Sequence, residues 1–324
     1  MRLAVRPYLL VMSMTAMSAC TKVADVFVCS EDSQCRLEQQ EGRCEPSGFC
    51  SLPASDCPSQ FRYDRSAVAA LAGQCVLEVD CNAPFMPSGA VATGRCVEGA
   101  PPVIDGWLDE WPMELFTTRV THAEVIANGG RATGTWSTDE VANDASLSAA
   151  IAWRWDARYL YVAARITDQE LVGTSSKVYE NDSFELFLDG LYGNGNVAPE
   201  LGGAYAEDDL QLLIDWNGVR NMARGRGSIG NINEVLTDTK PSAAGWTVEI
   251  AVPFSILGEV PVIPGREIGI DIVVSDRASP PTTDDPVLVW KQTAPDPSPC
   301  GDCTTVCKPA CSTLHFVPLQ LGGS

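Results

Sequence analysis

Residues 147–168 read LSAAIAWRWDARYLYVAARITD, and this stretch decides the architecture. Apolar side chains recur at every second position from Leu147 through Ala149, Ile151, Trp153 and Trp155, the period of a strand with one buried face. Asp156-Ala157-Arg158 is a tight polar turn, and 159–168 (YLYVAARITD) is a second run rich in β-branched and aromatic residues. The two runs therefore predict a hairpin. The same habit recurs downstream at 183–189 (SFELFLD), 209–216, 246–252, 268–276, 287–291 and 315–319. In 183–189, Phe184, Leu186 and Leu188 share one face while Glu185 and Phe187 share the other. Asp189-Gly190, Asn194-Gly195, Asn217-Gly218 and Pro264-Gly265 supply turns between the runs. Only 254–257 suggests a helical turn. About eight half-buried strands without a long amphipathic helix predict an all-β fold, an antiparallel β-sandwich, beginning near residue 101.

Upstream the composition changes. Thirteen cysteines are present, and none lies between Cys96 and Cys300. Eight fall at 29, 35, 44, 50, 57, 75, 81 and 96, and four at 300, 303, 307 and 311. Residues 20–100 read as a cysteine-rich stalk module, too poor in large apolar residues for a core of its own and held by disulfides. Eight cysteines allow 105 pairings, so connectivity stays open. Because the expected sandwich strands contain no cysteine, reduction is expected to loosen 29–96 and 300–311 and to spare the sandwich. The Gly99-Ala100-Pro101-Pro102 step marks the expected boundary.

The first nineteen residues have a basic stub (Arg2, Arg6) and an uncharged run, 8–19, that ends at Cys20. Such a run is an export signal too short to cross a bilayer as a helix. Met17-Ser18-Ala19-Cys20 resembles the bacterial lipobox, with Met17 where leucine is usual. That resemblance implies lipidation at Cys20, membrane anchoring, and an outer-membrane or cell-surface location, since Thr21 is not the aspartate that often retains lipoproteins at the inner membrane. Setting Cys20 aside leaves twelve cysteines, an even number. The stretch CSEDSQCRLEQQEGRC (29–44) and its continuation resemble the cysteine-rich leaders of surface lipoproteins of myxobacteria and their relatives.

The formal charge is −20. Losing residues 1–19 would leave 20 basic against 42 acidic residues, or −22. So acidic a surface repels phosphate backbones, which argues against nucleic acid as a partner and admits hard cations such as calcium.

Six signposts stand in order: IDGWLDEW (104–111), WRWDARYLYVAARITD (153–168), ENDSFELFLDG (180–190), YAEDDLQLLIDWNG (205–218), GWTVEIAVPFSIL (245–257) and GREIGIDIVVSDR (265–277). Together they resemble the family 9 carbohydrate-binding modules and their relatives, over roughly residues 101–321. The resemblance implies a jelly-roll-like sandwich, structural calcium, and sugar held between two aromatic rings. Polysaccharide or oligosaccharide is the implied partner, with a role in polysaccharide capture or degradation. Tyr179 corresponds to the first sandwiching ring and Glu185 to the hydroxyl-binding glutamate. Leu213 replaces a basic residue, and Asp215 stands at an asparagine position. The loop of the second tryptophan corresponds to 295–313, which carries four cysteines and no aromatic residue. Asp182, Asp208 and Asp209 match acidic positions of the family and are the expected calcium ligands.

A pyranose offers an apolar C–H face to a ring and a rim of hydroxyls to carboxylates. Tyr179 and Trp216, the latter beside the Asn217-Gly218 turn, are the candidate platforms. Trp107, Trp111, Trp153, Trp155 and Trp246 read as packing, and Trp136 is undecided. Acidic pairs that could hold an ion are Asp105 with Asp109, Asp182 with Asp189, and Asp208 with Asp209. No GxSxG, HExxH or phosphate-cradling glycine loop occurs, and no Met stands beside His122 or His315 to complete a haem site. The reading is a surface-tethered, non-catalytic carbohydrate-binding sandwich; the alternative is an envelope scaffold or protein-interaction module built on the same sandwich.

Overall fold

The computed structural model describes Phe27, Cys29 and residues 31–323, apart from 38–39, 46–48, 68–70, 77–78, 98–99, 128–130, 135–143, 193–207, 225–233, 258–261, 278–285 and 291–315. Cys20, Trp136, His315 and the cysteines at 300–311 lie outside the described residues. Two compact units divide between Val76 and Leu77. No helix among the described residues is long and apolar enough to cross a membrane.

The smaller unit contains β1 (Arg36–Leu37) paired with β2 (Gln40–Glu41), and a three-stranded sheet of β3 (Arg43–Cys44), β4 (Cys50–Pro53) and β5 (Phe61–Tyr63). Strands of two to four residues bury little, so cystines supply much of its interior. Cys29–Cys44, Cys35–Cys50 and Cys57–Cys75 bridge it. Cys29, Cys35 and Cys50 form one small cluster, and Tyr63, Ala67 and Val76 another. Arg43 stacks over Phe61 at 3.9 Å and pairs with the buried Glu45.

The larger unit contains β6 (Ala92–Cys96), β7 (Thr118–Val120), β8 (Arg131–Gly134), β9 (Leu147–Trp155), β10 (Tyr159–Asp168), β11 (Ser183–Asp189), β12 (Asp209–Asp215), β13 (Arg220–Arg224), β14 (Leu236–Ser242), β15 (Gly245–Pro253), β16 (Glu267–Ser275), β17 (Pro286–Val289) and β18 (Val317–Leu321). Its one α-helix among the described residues, α1 (His122–Ala127), has six residues. The order β13-β12-β11-β16-β18-β6-β9-β10-β15-β14 folds back on itself as two layers. One layer runs from β13 to β18, with β17 and β8 continuing beside the far half of β16. The other runs from β9 to β14 with β7 on the opposite side of β9. Their inner faces interdigitate in one core that includes Trp153, Trp155, Ile166, Phe184, Leu186, Leu188, Trp246 and Ile270.

The hairpin forms as its residues dictate. Asp156 Oδ1 accepts the N–H groups of Arg158 (2.7 Å) and Tyr159 (2.9 Å), and its Oδ2 accepts the Tyr161 hydroxyl at 2.7 Å. The carboxylate thus closes the turn and fixes the register Leu160↔Trp155. Trp153 donates through Nε1 to Thr118 Oγ1, and Trp155 donates to the carbonyls of Gly94 and Gly322, so these two buried indoles keep their polar atoms paired.

Two features differ from the sequence expectation. Pairing is not wholly antiparallel: the short β6 runs parallel to both β18 and β9 and joins the two layers. Its five residues, ATGRC, carry no strand-like apolar run, so the joining strand left no signal. The 77–100 stretch, expected to close the stalk module, falls in the larger unit, and Cys96 belongs to a sandwich strand. Cys81–Cys96 is a disulfide of that unit, and both cysteines lie in the main core. The expectation that no sandwich strand carries a cysteine is therefore corrected. Closing a loop with a sequence separation of 15 is worth about 3 kcal/mol. The Cys81→Ala/Cys96→Ala double variant is expected to lower the melting temperature of the larger unit by roughly 6–12 °C. A calorimetric scan showing that transition unmoved would refute the assignment.

The outer face of the β9–β14 layer is covered by the segment that precedes α1. Leu108, Trp111 and Phe116 pack on Ala152, Tyr161, Ala163 and Ala251. Arg154 lies over the Trp111 ring and Arg165 over Phe116, at 5.7 and 4.6 Å.

Candidate functional site

β11 organises the candidate site. Its alternation sends Phe184, Leu186 and Leu188 inward and leaves Glu185 half-buried on the outer face, opposite Leu213 of β12 and Val273 of β16. Gln211 Nε2 approaches Glu185 Oε2 at 3.4 Å. A single turn of 3₁₀ helix, Val178–Glu180, precedes the strand. Val178 is buried there and pins the turn, while Tyr179 is 49% exposed. The Tyr179 carbonyl accepts Arg277 Nη2 at 2.9 Å, and the Lys177 ammonium sits 5.7 Å from the Tyr179 ring and pairs with Glu180. The ring is thus presented on a fixed backbone.

The other two expected sugar contacts have different surroundings. Asp215 is 1% exposed, and its carboxylate is spent on the chain itself. Oδ1 accepts the N–H groups of Asn217 and Val219, and Oδ2 accepts Asn181 Nδ2 at 2.7 Å. Trp216 packs partly buried against the main core, its Nε1 buried without a partner among the described residues. A side chain at Gly173 would run into Trp216 Nε1 and Asn217 Nδ2. Asp215 and Trp216 therefore build the turn beside Tyr179. The tryptophan that stands out is Trp107, read from sequence as packing and in fact 56% exposed. Trp111, Trp153, Trp155 and Trp246 are buried as expected.

The acidic residues gather in two clusters. Asp168, Asp182 and Asp276 bring one carboxylate oxygen each within 4.8 Å of one another. Asp182 is fully buried and accepts the N–H groups of Val172 and Arg277. Burial, with Asp168 and Asp276 close by, pushes its carboxyl up to about 8 despite those bonds. Burial and then the Asp276 charge push Asp168 up to about 7. Asp168 Oδ2 is buried without a donor among the described residues. Calcium bonds of 2.3–2.6 Å place neighbouring ligand oxygens no more than about 5 Å apart, so this trio fits such an ion.

Asp189, Asp208 and Asp209 form the second cluster. Here Arg266, which donates to the Gly190 carbonyl, supplies a resident positive charge beside Asp189 and Asp208, and Leu191 N–H bonds both. This trio has less need of a metal. The expected pairing of Asp182 with Asp189 is corrected, because the two flank opposite ends of β11, roughly 20 Å apart at a strand's rise per residue. Asp105 accepts its own turn's Trp107 N–H at 2.9 Å, and no metal-sized group including Asp105 or Asp109 occurs among the described residues. Asp168 and Asp276 went unselected from sequence because each ends a strand far from the other.

A two-layer sandwich that presents a ring and a carboxylate at the head of one strand, above a buried acidic trio, has the build of a ligand-binding module. The family model described as "Carbohydrate family 9 binding domain-like" matches residues 129–304, more than half of the chain, and the chain belongs to that family. Curated relatives include the exoglucanase XynX of Acetivibrio thermocellus, 29% identical over 177 residues, and the endo-1,4-beta-xylanase A of Thermotoga maritima, 28% identical over 176. Each match covers 54% of this chain but only 13% and 14% of the relative, so the chain spans a small part of those enzymes' length. Among solved structures, a family 9 carbohydrate-binding module from Caldicellulosiruptor kristjanssonii in complex with cellotriose is 20% identical. It covers 71% of this chain and 94% of its own, with a TM-score of 0.47. The same module in complex with glucose has a TM-score of 0.46 at 21% identity, with 71% and 96% covered.

Proposed function

We propose that the larger unit is a non-catalytic module that binds the sugars of a polysaccharide, with Tyr179 as the stacking ring and Glu185 as the hydroxyl acceptor. The observation that carries this reading is the exposed Tyr179 ring on a turn pinned at Val178 and Arg277, directly before the strand that holds Glu185. Membership in a family described as carbohydrate-binding supports it. So do the relatives named as xylanases and an exoglucanase.

In this reading a pyranose lays its C–H face on Tyr179, and Glu185 accepts from a hydroxyl at the ring's rim. Asp215 and Trp216 support the neighbouring turn. Asp168, Asp182 and Asp276 would hold calcium, whose charge would neutralise the trio and lock the start of β11 below Tyr179. The cystine-rich smaller unit serves as a spacer, and lipidation of Cys20 tethers the module to the outer membrane or cell surface. Radiolabelled palmitate incorporation lost in Cys20→Ser tests the anchor.

Titration calorimetry with cellotriose and xylotriose tests the site. Tyr179→Ala is expected to weaken binding at least about tenfold, the stacking and burial of one ring being worth about 1.5 kcal/mol. Glu185→Gln is expected to weaken it about three- to tenfold, by removing a charge-assisted hydrogen bond. Both variants binding as the wild type does would sink the assignment.

A further inference from the structure

Trp107 takes no part in the site just described, and its surroundings are unusual for an exposed aromatic residue. The N–H groups of Asp105, Gly106 and Trp107 and the Gly106 carbonyl are all held. Asp105 and Gly106 N–H groups donate to Glu249 Oε2, at 3.1 and 2.8 Å. The Gly106 carbonyl accepts Thr247 Oγ1 at 2.8 Å, and Trp107 N–H donates to Asp105 Oδ1. Gly106 has a φ of +81°, which suits glycine, and a Cβ there would lie 2.9 Å from Lys240 Cγ and from the Thr239 backbone. The turn therefore rests on β14, the last strand of its layer among the described residues, and the exposed Trp107 follows it directly. Lys240 and Asp238, an ion pair at 3.2 Å, share that edge. A tryptophan 56% exposed on a backbone with so little freedom loses little entropy on meeting a ligand.

Hydrogen bonds also tie this turn to the Tyr179 end of the molecule. Trp216 N–H donates to the carbonyl of Asp182, and the Trp216 carbonyl accepts Thr239 Oγ1 at 2.9 Å. Thr239 is the residue under Gly106. The chain of contacts Asp182, Trp216, Thr239, Gly106 places Tyr179 and Trp107 at one end of the sandwich, with exposed Asn217 and Val219 between them.

We infer that Trp107 is a second stacking platform, which takes a further pyranose of the same polysaccharide chain whose first sugar lies on Tyr179, with Lys240 and Asp238 bonding its hydroxyls. This rests on the proposed sugar-binding reading and extends it from a single-sugar contact to recognition of a chain. The physical reason is that a second ring engaging the same molecule adds its interaction intramolecularly, so longer ligands gain affinity that short ones cannot.

Titration calorimetry on the full chain with cellotriose, cellohexaose, xylotriose and xylohexaose tests it. The wild type is expected to bind the preferred hexasaccharide about fivefold more tightly than its trisaccharide, the worth of one aromatic contact. Trp107→Ala is expected to abolish that gain and leave trisaccharide affinity within about twofold, while Trp107→Tyr keeps most of it. A hexasaccharide gain that survives Trp107→Ala, or no gain in the wild type, overturns the inference. Equal losses on both lengths overturn it too, because they would place Trp107 in the first site. A trisaccharide affinity unchanged by Tyr179→Ala alone overturns the first site instead, and a wild type that binds none of the four overturns both.

Discussion

Glu249→Ala is expected to destabilise the larger unit by about 3–5 kcal/mol, a loss of roughly 10 °C or more in melting temperature. Glu249 is fully buried on the outer face of β15 and accepts from three donors of the covering segment. Trp111 Nε1 reaches its Oε1 at 2.6 Å, while the Asp105 and Gly106 N–H groups share its Oε2. Truncation would leave Trp111 Nε1 and the Gly106 N–H buried and unpaired, while the Asp105 N–H keeps the Val103 carbonyl at 3.1 Å; each orphan costs about 1–3 kcal/mol. It would also release Trp111 from Ala152 and Ala251, and with it the cover over the sheet. Burial pushes this carboxyl up to about 7, while the three donors hold it back. Glu249→Gln keeps a carbonyl for one or two donors and is expected to cost less than half as much. Thermal unfolding of both variants decides the point, and an alanine variant within about 1 kcal/mol of wild type would show that the segment is anchored elsewhere. The Trp107 platform depends on the same anchor, so a folded Glu249→Ala protein should also lose the gain on longer sugars.

The second large effect concerns the Asp168, Asp182 and Asp276 trio. Calcium at one hundred times its dissociation constant is expected to stabilise the larger unit at pH 8 by about 2.7 kcal/mol, or roughly 5–10 °C. The sign with pH follows from the carboxyls. In the metal-free protein Asp168 and Asp182 titrate near 7 and 8, above the ordinary 3.8. The folded state therefore binds more protons than the unfolded one, and metal-free stability falls as pH rises from about 4 to about 8. Calcium must displace those protons, so its benefit should be small at pH 5 and much larger near pH 8. Asp182→Asn is expected to remove the calcium response and about half of that pH dependence, because burial and Asp276 still hold Asp168 up. Melting temperatures measured with calcium and with chelator at the two pH values provide the check; a calcium shift equal at both would exclude this trio as the site.

Much of the fold was legible from residue order. The alternation in 147–155, 183–189 and 246–252 named core-facing residues correctly, because a strand with one face on the core must obey a period of two wherever it lies. Asp156 between two apolar runs named the hairpin for a similarly local reason. β6, β7, β8, β13 and β14 were missed because short or largely polar strands are set by their neighbours. The disulfide pairing was closed to sequence reading, since spacing alone permits many solutions.

The candidate site divides along the same line. The sequence by itself determined that Tyr179 and Glu185 bracket the start of a strand, and that an acidic, cystine-bearing chain carries a β-sandwich; each follows from composition or from neighbours in the chain. Only the tertiary structure decided which acids meet. It brought Asp182 to Asp168 and Asp276, spent Asp215 on a turn, buried one side of Trp216 and exposed Trp107. Those outcomes depend on which strand ends fall together across the sheet, and they are fixed by Glu249, Thr239 and the core tryptophans acting over separations of 144 residues between Asp105 and Glu249 and 167 between Trp155 and Gly322.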